Sequence, residues 1–134
     1  MKSAQINRYG SSEVVEINKD ISEPTVSAGK VLVNVKAAGV NPADWKIREG
    51  YFQQMITLQF PSTMGTDISG IIKELGEGVS NSWLKQGDEV YGQASVLKGG
   101  SEAFAESALV DKYAIAHKPK TQPCRSCSFT TCWC

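Results

Sequence analysis

The chain is 134 residues long with 41% hydrophobic and 21% charged residues, the size and make-up of one globular domain that can bury a core without disulfide or metal staples. Fourteen basic residues balance fourteen acidic ones and neither sign clusters, which argues against a nucleic-acid or anionic-membrane surface. No apolar run approaches the ~20 residues of a membrane span, and Met1-Lys2-Ser3-Ala4-Gln5 opens like a strand instead of a signal peptide, so the expected compartment is the cytoplasm.

In chain order, the pattern predicts strands over residues 2–7, 13–17, 30–38, 67–75, 89–92 and 103–110. Gly, Ser, Pro and Asn clusters such as Tyr9-Gly10-Ser11-Ser12 and Gly76-Glu77-Gly78 separate them. A single short helix is predicted over residues 42–49. Many short strands joined by turn-rich links, with little helix, point to a mainly β fold of the closed or partly open barrel type.

The helix start carries the most chemistry. The β-branched run of Val31, Leu32, Val33 and Val35 ends at Ala37-Ala38-Gly39, and Asn41-Pro42 then offers an N-cap followed by a proline at the first helical position, where its missing N–H costs nothing. Asp44 falls at the third helical position. Its carboxylate suits the positive end of the helix dipole and can reach back to the cap in a variant of the capping box. On these residues alone, a well-capped strand-to-helix turn accounts for both side chains.

The segments KVLVNVKAAGVNPADWKIREG (residues 30–50), FPSTMGTDISGIIKELGEGV (60–79) and Gly87-Asp88-Glu89-Val90-Tyr91-Gly92 together resemble the amino-terminal domain of the medium-chain dehydrogenase/reductase superfamily, in its zinc-independent quinone oxidoreductase branch. The resemblance runs in order over residues 1–120. It implies a barrel like that of the small GroES co-chaperonin, partly open, with one or two short helices, and Trp83 before Leu84-Lys85-Gln86-Gly87-Asp88 matches the turn into the strand that closes it. Zinc-dependent relatives carry Cys where this chain has Asn41 and His where it has Thr66. Neither amide nor hydroxyl replaces those soft donors, no Cys precedes Cys124, and the single His, His117, resembles the exit from the domain, so no catalytic or structural zinc is expected.

By resemblance, Asn41, Asp44 and Thr66 are the candidate catalytic residues. Asn41 would lie beside the nicotinamide and polarise a carbonyl oxygen, Asp44 would hold the turn in shape, and Thr66 would hydrogen-bond the substrate. Asn41 and Lys46 are the candidate cofactor contacts, with a solvent-exposed helix lysine the plainer reading of Lys46. Asp67 reads equally well as a structural partner of a cationic side chain inside the domain, and Tyr51 and Phe52 as an apolar substrate wall or as core. The implied cofactor is NADPH and the implied substrate a quinone or enone.

After Lys118-Pro119-Lys120 the resemblance stops. The remaining residues, 121–134, hold all four cysteines, at 124, 127, 132 and 134, and read as a disordered Cys-rich tail. Three origins compete for it: an all-thiolate zinc site, a disulfide framework, or a lost reading frame, the last being preferred because the cysteine spacing is not that of zinc ribbons or knuckles. No Gly-x-Gly-x-x-Gly turn opening a helix occurs in the chain, so it should not bind NADPH tightly and should be inactive alone. Two classes of function follow. One is the substrate-side domain of an oxidoreductase. The other is a stand-alone, non-catalytic barrel module that acts through a partner, with self-association through the exposed cleft face.

Overall fold

The computed structural model describes residues 1–79 and 83–121, so the expectations for the cysteines of the tail lie outside the described residues. The fold is mainly β. Strands β1 (Ser3–Ile6), β2 (Val15–Asn18) and β4 (Ser62–Thr63) form a small sheet in the order β2-β1-β4. Strands β3 (Lys30–Gly39), β5 (Asp67–Leu75), β6 (Glu89–Gln93), β7 (Ser107–Asp111) and β8 (Ile115–His117) form a larger one in the order β7-β3-β5-β6-β8. Every pairing is antiparallel. The two sheets wrap a core without closing into one ring, as the partly open barrel requires. Helix α1 (Pro42–Arg48) and two 3-10 turns, Ser12–Val14 and Val96–Lys98, complete it. No helix among the described residues is long and apolar enough to cross a membrane.

Strand β5 is central because its first half is buried on both faces: Ile68 and Ile72 point into the main core, and Ser69, on the opposite face, is buried as well. Val31 and Val33 from β3, Val90 from β6, Val110 from β7 and Ile115 from β8 join that core, with Leu84, Ala94, Ala103 and Ala108. Ile6, Val14 and Met64 make a smaller cluster under the three-stranded sheet. Phe104 packs against both. Its backbone is bonded on the side of the small sheet: the Phe104 N–H donates to the Met64 carbonyl at 2.7 Å and its carbonyl accepts from Ala4 at 2.8 Å.

This seam explains where the predicted strands were too long. Residues 103–106 have the apolar character of a strand, yet they cross from one sheet to the other and touch β1 only through the isolated Ser3–Ala105 bridge, so β7 begins at Ser107. Residues 13 and 14 likewise belong to a 3-10 turn, closed by the Val14 N–H on the Ser11 carbonyl, and β2 starts at Val15. His117, read as a domain exit, lies in edge strand β8. There its Nε2 is 2.6 Å from the Trp83 carbonyl and its ring meets Trp83 edge-on.

The register of β3 on β5 shifts between Val35 and Ala37, and Gly70 pairs with Val35 at that irregularity. A β-carbon on Gly70 would lie 2.2 Å from the Asn34 carbonyl oxygen, a contact that only backbone movement relieves. Gly70→Ala is therefore expected to cost ~3 kcal/mol, the upper range for overpacking. A denaturant titration in which its midpoint matches that of the unsubstituted chain would refute the close approach.

Candidate functional site

Helix α1 is only seven residues long, too short to persist on its own, and depends on what holds its ends. Proline stands at its first position, and the Asp44 carboxylate accepts the Asn41 backbone N–H at 2.6 Å, the capping box that the sequence anticipates. The Asp44 N–H in turn bonds the Asn41 carbonyl at 3.0 Å. Lys46 and Arg48 occupy the last turn, where positive charge is favoured.

The Asn41 side chain is committed elsewhere. Its Nδ2 donates to Asp67 Oδ2 at 2.8 Å, across 26 residues of sequence. Asp67 opens β5, pairs with Gly39 on one side and Gln93 on the other, and is 1% exposed. Its partner is thus an amide and not the cationic side chain that the sequence offered as one possibility. A charge-assisted bond of this kind fixes the plane of the Asn41 amide and leaves its second N–H for another acceptor.

Thr66 stands next to Asp67, half-buried, and its carbonyl accepts the Ala94 N–H at 2.8 Å. Asn41, Asp44 and Thr66 are therefore brought together around the start of β5. Lys46 is not directed into this group: its ammonium lies 5.7 Å from the centre of the Trp45 ring. Tyr51 is largely exposed and meets Trp45 edge-on, whereas Phe52 is half-buried, its carbonyl closing the turn that contains Met55 and Ile56.

Beneath these residues lies an acidic group that sequence reasoning missed in part. Asp44 is 4% exposed; burial pushes its carboxyl above the ordinary range, the Asn41 N–H works against that rise, and neighbouring Asp67 adds to it. Glu102 is 6% exposed and accepts the Val96 N–H at 3.0 Å; burial pushes it up to about 7, the Val96 bond opposes this and Asp44 reinforces it. Asp44 and Glu102 both line a recess of about 10 Å³, together with Ile47, Leu58, Met64 and Thr66. Among the described residues, no group of three or more His, Cys, Asp or Glu side chains is placed to hold a metal ion. The donor types at Asn41 and Thr66 agree with this, since zinc is held by thiolate, imidazole or carboxylate.

Residues 27–120 match the alcohol dehydrogenase GroES-like domain family. The chain belongs to that family. Among curated proteins, the quinone oxidoreductase of Lama guanicoe is 34% identical over 119 residues, covering 89% of this chain and 34% of that protein. The chloroplastic NADPH-dependent alkenal/one oxidoreductase of Arabidopsis thaliana is 34% identical over 124 residues, covering 90% of this chain and 31% of that protein. This GroES-like chain thus spans about a third of the length of the curated relatives it matches. Among solved structures, the quinone oxidoreductase of Coxiella burnetii superposes with a TM-score of 0.79 at 27% identity, over 96% of this chain and 40% of that one. The Escherichia coli quinone oxidoreductase complexed with NADPH gives 0.81 at 23% identity over 97% and 37%, a likeness of fold.

Asn41→Ala should leave both Asp67 oxygens without a protein partner and cost ~2 kcal/mol, within the range for a bond to a charged group. Adding Asp67→Asn to that variant should recover part of the loss, because a neutral amide is cheaper to bury than an unpaired carboxylate. Denaturant titrations of the four members of this cycle measure the coupling, and additive losses would show that the bond holds nothing.

Proposed function

We propose that this GroES-like chain is the substrate-side domain of an NADPH-dependent, zinc-independent quinone or enone oxidoreductase, working with a dinucleotide-binding domain. The observation that carries this reading is the Asn41 amide, clamped by Asp67 at the mouth of the cluster where zinc-dependent dehydrogenases have a metal-ligating Cys. The kinship with quinone and alkenal/one oxidoreductases supports the substrate class.

In this reading the second Asn41 N–H polarises a carbonyl oxygen, and its orientation needs no adjustment because Asp67 has already fixed it. Asp44 acts through the helix start that it caps. Thr66 offers a hydroxyl to the substrate. Lys46 would leave the Trp45 face to contact the ribose or phosphates of the cofactor. NADPH supplies the hydride when bound. The residues in hand fit only one wall of its site, since these 134 residues contain no Gly-x-Gly-x-x-Gly turn leading into a helix to cradle the pyrophosphate. The chain alone is therefore taken to be inactive and to bind NADPH in the millimolar range or worse, where ~4 kcal/mol suffices.

A chimera joining residues 1–120 to the dinucleotide-binding domain of a quinone oxidoreductase tests this. It is expected to oxidise NADPH with quinones or enones, and Asn41→Ala in it to lower kcat ~100-fold, the scale for removing one donor to a developing oxyanion. A chimera that binds NADPH and reduces neither substrate class would sink the proposal.

The second reading, a non-catalytic module acting through a partner, is favoured by one surface. Val40, Tyr51 and Met55 are 74%, 67% and 83% exposed, and Trp45, which meets Tyr51 edge-on, is partly uncovered. Apolar area of this kind rewards any contact at ~25 cal/mol per Å². The isolated chain is expected to self-associate through this face, with Trp45→Lys restoring a monomer. Sedimentation showing a monomer at high concentration, together with no binding of a hydrophobic dye, would count against it.

A further inference from the structure

Glu102 stands where the backbone gives no reason for an acidic residue. It is the single non-glycine residue with positive φ among the described residues, at 68°, a conformation that glycine adopts without strain. Its side chain turns inward, into a region where an unpaired carboxylate is costly. Its N–H bonds the Ala94 carbonyl at 2.7 Å and its Oε1 accepts from Val96, so the loop around Val96–Lys98 is folded onto this one side chain. Across the recess, Asp44 Oδ2 takes the Asn41 N–H, while Asp44 Oδ1 is buried with no protein partner. An orphaned carboxyl oxygen, a second buried carboxyl and a recess with room for about one water occur together.

We propose that Asp44 and Glu102 hold a single proton between them through one water molecule seated in this recess, forming a buried proton store directly behind Thr66. The protonated Glu102 donates to the water, and the water donates to Asp44 Oδ1, which gives the orphaned oxygen its missing bond. Release of the proton to solvent leaves Glu102 ionised and changes no other bond order. The groups facing Glu102 fit this arrangement. From the 3-10 turn comes the Val96 N–H, and from α1 the Asp44 carboxyl; Thr63, Met64, Gly65 and Thr66 add no charge, and Asp67 faces Asp44 from the start of β5. With burial first and the Asp44 carboxyl second acting on it, the neutral form of Glu102 is the cheaper one to bury.

A dependence on pH follows from linkage. Between the ordinary glutamate value of 4.5 and about 7, the folded chain keeps a proton on Glu102 that the unfolded chain has lost. Stability from this group is therefore greatest at the acid end and falls as pH rises through that window. Glu23 and Asp111, held below the ordinary range by Lys73 and Lys30, act in the opposite direction at lower pH.

Carboxyl carbon NMR of the 134-residue chain, labelled at Glu and Asp, reads both members directly. Glu102 is expected to titrate near neutrality, and Asp44→Asn to lower its midpoint. A Glu102 midpoint in the ordinary carboxylate range, or one indifferent to Asp44→Asn, overturns the proposal. If Asp44→Asn does not fold, Glu102→Gln serves instead: it should diminish the fall in denaturant midpoint between pH 4.5 and 7, to which Asp44 contributes with the same sign, and lower the Asp44 midpoint. A fall that survives Glu102→Gln unchanged overturns it equally, and a high-resolution crystal structure with a dry recess does the same.

Discussion

A buried carboxylate at the first position of β5 sets the conditions for the rest of the site. Asp67 is taken out of water by the sheet that flanks it on both sides, and a group so placed must be paired or it becomes a large penalty. The Asn41 amide meets that demand, and in doing so ties the end of β3 to the start of β5. Helix α1 begins at the same residue. With seven residues it has little intrinsic stability, so its position reports on the integrity of the Asn41, Asp44 and Asp67 contacts more than on its own sequence. Stability and positioning of the candidate reactive amide are one physical problem here, solved by the same three side chains.

The acidic group beneath illustrates how a site of one sign can persist. Asp67 acts on Asp44 and Asp44 on Glu102, and water is largely excluded from all three carboxyls. Backbone N–H groups from Asn41 and Val96 and one side-chain amide supply most of the compensation. That supply falls short by two buried oxygens, on Asp44 and on Asp67. Unsatisfied atoms of this kind are uncommon in folded proteins, and they cluster where a proton, a water or a ligand has a task.

Much of this was written locally in the chain. The β-branched run over Lys30–Gly39 and the isoleucine-rich stretch over Asp67–Leu75 mark long strands, and Asn-Pro-x-Asp specifies a helix start by capping chemistry alone. Other parts had no local signature. Strand β4 is two residues and β8 three, lengths at which no period exists, and each is created by the neighbour it pairs with. The Asn41–Asp67 bond depends on the register of β3 against β5, which the sequence does not state. Glu102 looks like a surface glutamate; only the chain reversal after Gly99-Gly100 turns it inward. The two glycines ahead of it were the available hint, though they say that a turn is near and not which side chain it buries.

Phe104 gives the fold a property that neither sheet has separately. Its ring is seated over Gly65, where a β-carbon would lie 2.3 Å away, and its backbone bonds join β1 to the residues before β5. Among the described residues, the small sheet has Ile6, Val14 and Met64 as its own buried apolar set, too few to survive detached. Losing the seam would expose both clusters at once. The amides of Ala4 and Phe104 should consequently exchange with solvent only through global opening, at the same rate as the amides in the middle of β5, so that two sheets of unequal size behave as one cooperative unit.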